Sequence, residues 1–264
     1  VGSEFVIENT YQLGRALATC FKRKHSSLKT ISLAMDARIH SPEIKQELLK
    51  AFLDSGLDVI DLGLCPTPVL YFSQYQLPVQ AGVMVTASHN PQNYNGIKMV
   101  INKEPFFGDE IQTIYKTFLD QNFIEAEKKG TITEYDILSD YLTFLDQEFS
   151  YLRGMTRHVV IDCGQGAAAA VVPELVKKLE WHNAVLLCAD TDQSKRKHEA
   201  DPSVADNIKD VQEELKKYPD AVGIAFDGDA DRMGAITQKG DLVPGDKLLG
   251  IFAQQILKKE QGAS

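Results

Sequence analysis

The sequence predicts an α/β protein built as two consecutive three-layer domains with mixed, mostly parallel sheets. Three observations carry this. Short apolar runs of strand type alternate along the chain with segments of helical periodicity. That alternation is the mark of layered α/β architecture. A chain of 264 residues is also long for a single core and suits two domains of ordinary size. Finally, two polar loops each follow directly on an apolar strand, at Thr86 and at Asp227.

The elements run as follows. Ile7 to Phe21 reads as a helix, with Leu13, Ala16, Leu17 and Cys20 on one face. Thr30–Met35 reads as a strand. A helix opens at Ser41, with Ser41 as N-cap and Pro42 at the first helical position. Strands are expected at Asp58–Leu62, Ala81–Val85 and Gly96–Ile101, then a helix from Asp109 to Leu119. Ile137–Phe149 reads as a helix joining two units. The alternation then restarts, with strands at His158–Asp162, Ala184–Leu187 and Ala221–Phe226 and a hairpin partner at Met233–Thr237. Helices are expected after Gly166 to Leu179, at Val204–Lys217 and at Lys247–Lys258. The domain boundaries this gives are 1–137, 138–243, and 244–264 as the start of a further unit. Gly2-Ser3-Glu4-Phe5 reads equally as a cloning remnant or as native sequence and carries no weight in the fold.

Composition narrows the function classes. The formal net charge of −9 argues against nucleic acid and anionic membrane surfaces as partners. No apolar run reaches the roughly 18 residues of a membrane span. Cys20, Cys65, Cys163 and Cys188 are far apart, with no C-x-x-C spacing, which argues against both a thiolate metal site and a disulfide framework. A reducing, cytoplasmic setting with each cysteine a small core residue is the expectation.

Two motifs carry chemistry. Thr86-Ala87-Ser88-His89-Asn90-Pro91 follows the strand ending at Val85, at the strand end where ligands gather in α/β sheets. Pro91 keeps Asn90 out of helical conformation, and Asn95-Gly96 turns the chain into a strand that carries Lys98 back toward the loop. A polar turn between core strands competes with a nucleophile loop, and the grouping of Ser88, His89, Asn90 and Lys98 weakens that competitor. The second motif is Asp227-Gly228-Asp229-Ala230-Asp231-Arg232. Carboxylates at Asp227, Asp229 and Asp231 repel one another, and oxygen donors at this density suit a hard divalent cation. Gly228 and Ala230 keep the loop able to curl around an ion. An EF-hand fails, because Arg232 and Gln238 stand where Gly and Glu are needed. A phosphatase using an aspartate nucleophile expects a Thr-like residue after the second Asp, where Ala230 stands.

Together the two stretches resemble the α-D-phosphohexomutase family. The first, continued through Tyr94-Asn95-Gly96-Ile97-Lys98, is similar to its phosphoserine loop, and the second to its metal loop. Asp36-Ala37-Arg38, Gly63-Leu64-Cys65-Pro66-Thr67-Pro68, Asp162-Cys163-Gly164-Gln165-Gly166 and Lys197–Pro202 resemble further family segments. Gln165 stands where the family usually has Asn, and Met35 where it often has Arg. The resemblance implies an isomerase that moves phosphate between the 1- and 6-positions of mannose or glucose. It implies a phosphate on Ser88, Mg²⁺ held by Ser88, Asp227, Asp229 and Asp231, and a hexose 1,6-bisphosphate intermediate. Lys98 would handle protons or stabilise oxygen charge, with a pKa lowered by burial or by a cationic neighbour. His89 would orient the loop or assist Lys98. Arg232 and Arg38 would steady the aspartates or the phosphate. Since the net charge is unfavourable for an anionic sugar, a cation at the site fits the expectation. The family has four domains, so partners implied are the hexose phosphates and missing C-terminal domains of the same protein. A phosphoglucosamine mutase, a non-catalytic Mg²⁺-binding fragment and a metal-dependent phosphatase remain as alternatives.

Overall fold

The computed structural model describes Val1 and residues 7–262; the segment Gly2 to Phe5 lies outside them. In the first unit, helix α1 (Thr10–Lys24) precedes strand β1 (Thr30–Met35), α2 (Ser41–Asp54), β2 (Asp58–Leu64) and α3 (Thr67–Gln76). Then come β3 (Ala81–Val85), β4 (Ile97–Ile101), β5 (Glu104–Pro105), α4 (Asp109–Asp120) and β6 (Ile132–Glu134). These strands form a six-stranded sheet in the order β5-β4-β3-β1-β2-β6. β1 lies parallel to β2 and β3, while β4 returns antiparallel to β3 with Lys98 opposite Met84.

After the connecting helix α5 (Ile137–Glu148), the second unit contains β7 (Val159–Asp162), α6 (Val172–Lys178), β8 (Ala184–Leu187) and α7 (Lys209–Leu215). It closes with the antiparallel pair β9 (Val222–Phe226) and β10 (Met233–Ile236), followed by α8 (Gly245–Lys259). Its four-stranded sheet has the order β10-β9-β7-β8, parallel except for β10. Both sheets are therefore mixed and mostly parallel, as the alternating pattern predicts.

Each sheet is covered on two faces. In the first unit, Leu17 and Phe21 of α1 and Leu48 and Phe52 of α2 bury against Ile31, Leu33 and Val83. On the opposite face, Val69 and Leu70 of α3 pack with Ala34, Met84 and Ile137. Val171, which leads into α6, and Leu142 of α5 belong to this same cluster, so apolar packing runs from one unit into the next. In the second unit, Val211 and Leu215 of α7 cover one face and Ala168 and Val172 the other.

Three expectations change. Ser41 does begin α2, but its hydroxyl donates to Asp36 Oδ1 at 2.6 Å, and the helix has no side-chain cap. Ser41 is the first residue inside the helix, with His40 at the N-cap, so its hydroxyl serves the buried Asp36 carboxylate instead. Helix α3 occupies a stretch that reads from sequence only as a Pro-Thr-Pro turn. The helical segments expected after Gly166 and at Val204 each begin as a 3-10 turn, at Ala167–Ala170 and Ala205–Ile208. Among the described residues, no helix is long and apolar enough to cross a membrane.

Candidate active site

The serine loop hangs from the carboxyl end of β3. Ser88 itself adopts φ +55°, a left-handed conformation that costs a non-glycine residue about 1–2 kcal/mol. The surrounding polar groups hold it there. The Thr86 hydroxyl accepts from the Ser88 amide at 2.9 Å and donates to Asp36 Oδ2 at 2.8 Å. Buried Arg38 then pins the loop from beneath. Its two terminal nitrogens donate to the carbonyls of Ser88 (2.7 Å), Pro91 (2.7 Å), Asn90 (2.5 Å) and Tyr94 (3.2 Å). Its Nε lies 3.2 Å from Asp36. Arg38 thus steadies backbone carbonyls, whereas the sequence reading gave it the aspartates or a phosphate. Four converging carbonyls are enough to employ both terminal nitrogens of one guanidinium. Burial raises the pKa of Asp36, and bonds from Ser41 and Arg38 work against that.

The acidic loop joins β9 to β10 and meets the serine loop across the two units. Ser88 Oγ donates to Asp227 Oδ2 at 2.7 Å. The Arg232 guanidinium donates to the same carboxylate oxygen at 2.7 Å and also to Ser88 Oγ and His89 Nδ1. Ser88, His89, Asp227 and Arg232 are therefore one cluster. The Arg232 amide donates to Asp227 Oδ1 at 3.1 Å, so both oxygens of Asp227 accept hydrogen bonds.

Asp229 is fixed by a residue that sequence reasoning left without a role. Thr67, the first residue of α3, donates its amide to the Asp229 carbonyl at 2.9 Å and its hydroxyl to Asp229 Oδ2. The Pro66-Thr67-Pro68 segment was the available signal. Lys98 Nζ lies 2.6 Å from Asp229 and 2.5 Å from Asp231.

The charges follow from this arrangement. Asp227 is fully buried; burial and then neighbouring Asp229 push its pKa up. Burial acts in the same sense on Asp229, but bonds from Lys98 and Thr67 override it and hold the carboxyl below the ordinary range. Lys98 corrects the sequence expectation of a lowered pKa. Burial does work to lower it, yet the hydrogen bonds to Asp229 and Asp231 prevail and raise it.

One oxygen from each of Asp227, Asp229 and Asp231 lies within 4.8 Å of the others. Asp229 Oδ1 is buried with no hydrogen-bond partner, an arrangement that a cation would resolve. Hard oxygen donors and an orphaned buried oxygen together fit a divalent metal ion. The chain is thus, by fold and site, a two-unit α/β/α protein with a serine loop and a candidate metal centre in contact.

Comparison with known proteins agrees. Residues 1–125 match the family described as phosphoglucomutase/phosphomannomutase, alpha/beta/alpha domain I, and residues 139–240 match domain II of the same family. A phosphoglucomutase of Neisseria meningitidis is 35% identical over 263 residues, covering 100% of this chain and 56% of the relative. A phosphomannomutase/phosphoglucomutase of Pseudomonas syringae is 36% identical over 97% of this chain and 54% of the relative. A crystal structure of a phosphoglucomutase/phosphomannomutase family protein from Burkholderia thailandensis superimposes with a TM-score of 0.89 at 31% identity, covering 100% of this chain and 58% of that one. The chain belongs to the α-D-phosphohexomutase family. It spans about half the length of the curated relatives it matches.

Proposed function

We propose that this chain forms the phosphoserine- and cation-bearing part of a mutase that interconverts hexose 1-phosphate and hexose 6-phosphate, with glucose or mannose as the sugar. The 2.7 Å bond from Ser88 Oγ to Asp227, made between two loops on two sheets, carries this reading. It puts the nucleophile, the carboxylates and a guanidinium at one point, the set that phosphoryl transfer requires. Residues 1–137 and 138–243 are the first two domains, and 244–264 begin a third. Missing C-terminal domains complete the protein and bind the sugar, in the cytoplasm.

In this reading Ser88 carries a phosphate. A sugar hydroxyl attacks phosphorus, forming a sugar O–P bond as the Ser88 Oγ–P bond breaks, and the hydroxyl proton ends on the departing Ser88 Oγ. The hexose 1,6-bisphosphate then returns its other phosphate to Ser88. Asp227, Asp229 and Asp231, with Ser88, would hold Mg²⁺, and the ion would supply charge neutralisation for the transferred group. Lys98 and Arg232 remain cationic and stabilise oxygen charge. Arg232 sits against Ser88 Oγ, and His89 accepts from Arg232 and so fixes its approach. Arg38 and Thr86 hold the loop in its left-handed turn.

The test is phosphopeptide mapping after incubation with glucose 1,6-bisphosphate and Mg²⁺. Phosphate on Ser88, absent in Ser88→Ala, is the expected result. An unmodified Ser88, both in this chain and in the protein with its C-terminal domains, would overturn the reading.

A further inference from the structure

We infer that Asp162, Cys188 and His198 form a second metal site, of thiolate–imidazole–carboxylate type, that takes a zinc-class divalent cation. The three residues come from separate parts of the second unit: the end of β7, the residue after β8, and the loop before α7. One donor atom from each lies within 4.8 Å of the other two. This is also where the cysteine reading from sequence changes. Cys188 is only half-buried, and its sulfur faces a histidine ten residues away rather than another cysteine.

The imidazole orientation decides between a relay and a ligand set. His198 Nε2 lies 3.0 Å from Asp162 Oδ2 and 3.7 Å from Cys188 Sγ. A nucleophile triad would place the carboxylate and the thiol on opposite ring nitrogens. Here both meet the same one. The other nitrogen, Nδ1, is 2.9 Å from the Glu199 carbonyl, which can only accept, so it carries a proton there. An N–H to a backbone carbonyl is the outer-sphere bond that typically orients a metal-ligating histidine. Asp162 is likewise oriented, because its other oxygen accepts from the Gly164 amide at 2.8 Å.

Distances and charge agree. A tetrahedral ion with bonds of about 2.3 Å to sulfur and about 2.0 Å to nitrogen holds those atoms roughly 3.5 Å apart. The observed separation is 3.7 Å. One thiolate, one carboxylate and one neutral imidazole leave a divalent ion formally neutral, suited to a place where Asp162 is 1% exposed. Sulfur and nitrogen donors select this ion class over Mg²⁺, which prefers the all-oxygen aspartate loop. Three protein donors leave the ion one further position. Cys188 also holds φ +46°, a left-handed backbone that cysteine adopts only when its surroundings enforce it.

Occupation would tie the Cys188–His198 segment to β7. That segment reaches the serine loop, since Gln193 Oε1 accepts from Gln92 at 2.8 Å.

The test is titration of the chelator-treated chain with Co²⁺ in excess Mg²⁺, which keeps the aspartate loop filled. The expected result is a single equivalent bound with a sulfur-to-cobalt charge-transfer band. Cys188→Ser abolishes the band and weakens binding at least about tenfold, His198→Gln weakens it similarly, and Cys163→Ser leaves it intact. No band, or a band that survives Cys188→Ser, overturns the proposal. X-ray absorption of the Zn²⁺-loaded unmodified chain gives an answer free of any folding defect in the variants. One sulfur neighbour supports the site; a shell of oxygen and nitrogen alone overturns it.

Discussion

Gly228 passes so close beneath Ser88 that a β-carbon added to it would lie 2.3 Å from the Ser88 carbonyl oxygen. The serine loop and the acidic loop are in backbone contact, and only a residue without a side chain allows it. Gly228→Ala must therefore push the loops apart. Strain of this kind typically costs about 1–3 kcal/mol, and the Ser88–Asp227 bond lengthens with it. A lowered melting temperature together with reduced phosphate uptake at Ser88 is expected. Unchanged values for both would show that the loops can separate without consequence.

Arg38 presents a different dependence. Replacing it by alanine frees four carbonyls and leaves the buried Asp36 carboxylate without its cation. Breaking a buried pair on one side costs about 3–5 kcal/mol, and Arg38→Lys recovers little of it because an ammonium lacks the planar fork. Urea unfolding of both variants measures the loss. A lysine variant as stable as the parent would show that charge alone suffices.

Thr67→Val keeps the shape of the side chain but removes the hydroxyl that Asp229 accepts from. Outer-sphere partners of this sort are worth about 10–100-fold in metal affinity. Calorimetric titration with Mg²⁺ should show a weakening toward that range with the fold preserved. Equal affinity in the variant would mean that the Thr67 amide alone positions Asp229.

Lys98 pairs with Asp229 and Asp231, two of the carboxylates proposed to hold a divalent cation. Lys98→Met leaves Asp229 and Asp231 without their counter-charge, so the metal-free chain should lose thermal stability. Mg²⁺ should then raise the melting temperature more in the variant than in the parent. Equal shifts would show that the ammonium and the ion do not compete.

His198 predicts a pH dependence in chelator-treated protein. Its bond to Asp162, and next the contact with Cys188, raise its pKa from 6.5 to about 10. A group raised on folding stabilises fully below its unfolded value and loses that contribution as pH climbs through the folded one. The stability gap between the parent and His198→Gln should hold at and below pH 6.5 and shrink toward pH 10. A gap that is flat over this window would show that His198 keeps its ordinary titration.

Much of the architecture is legible in the sequence because apolar strands and amphipathic helices have distinct periods. Helix α3 is not, since its Tyr, Phe and Val residues and flanking prolines resemble a strand edge or turn. It becomes helical by burying Val69 and Leu70 under the first sheet. Strand β6 is also hidden, because its three residues are all exposed and only pairing with β2 defines them. At the site, Ser88 and the aspartates stand out through local density of unusual side chains. Thr67 and the position of Arg38 do not, because their partners lie far away in sequence. The direction of the Lys98 shift depends on the balance of burial against two carboxylates 131 and 133 residues away, which no local pattern encodes.

The shared cluster of Ala34, Met84, Leu142 and Val171 has a further consequence. Two globules joined by a bare tether would melt as separate events, each with its own midpoint. Here the wall of one is built from residues of the other, so loosening the second exposes the interior of the first. Denaturation should then follow a single cooperative transition. Evolutionary exchange of either half is correspondingly constrained, because a graft must match its neighbour's packing as well as its chemistry.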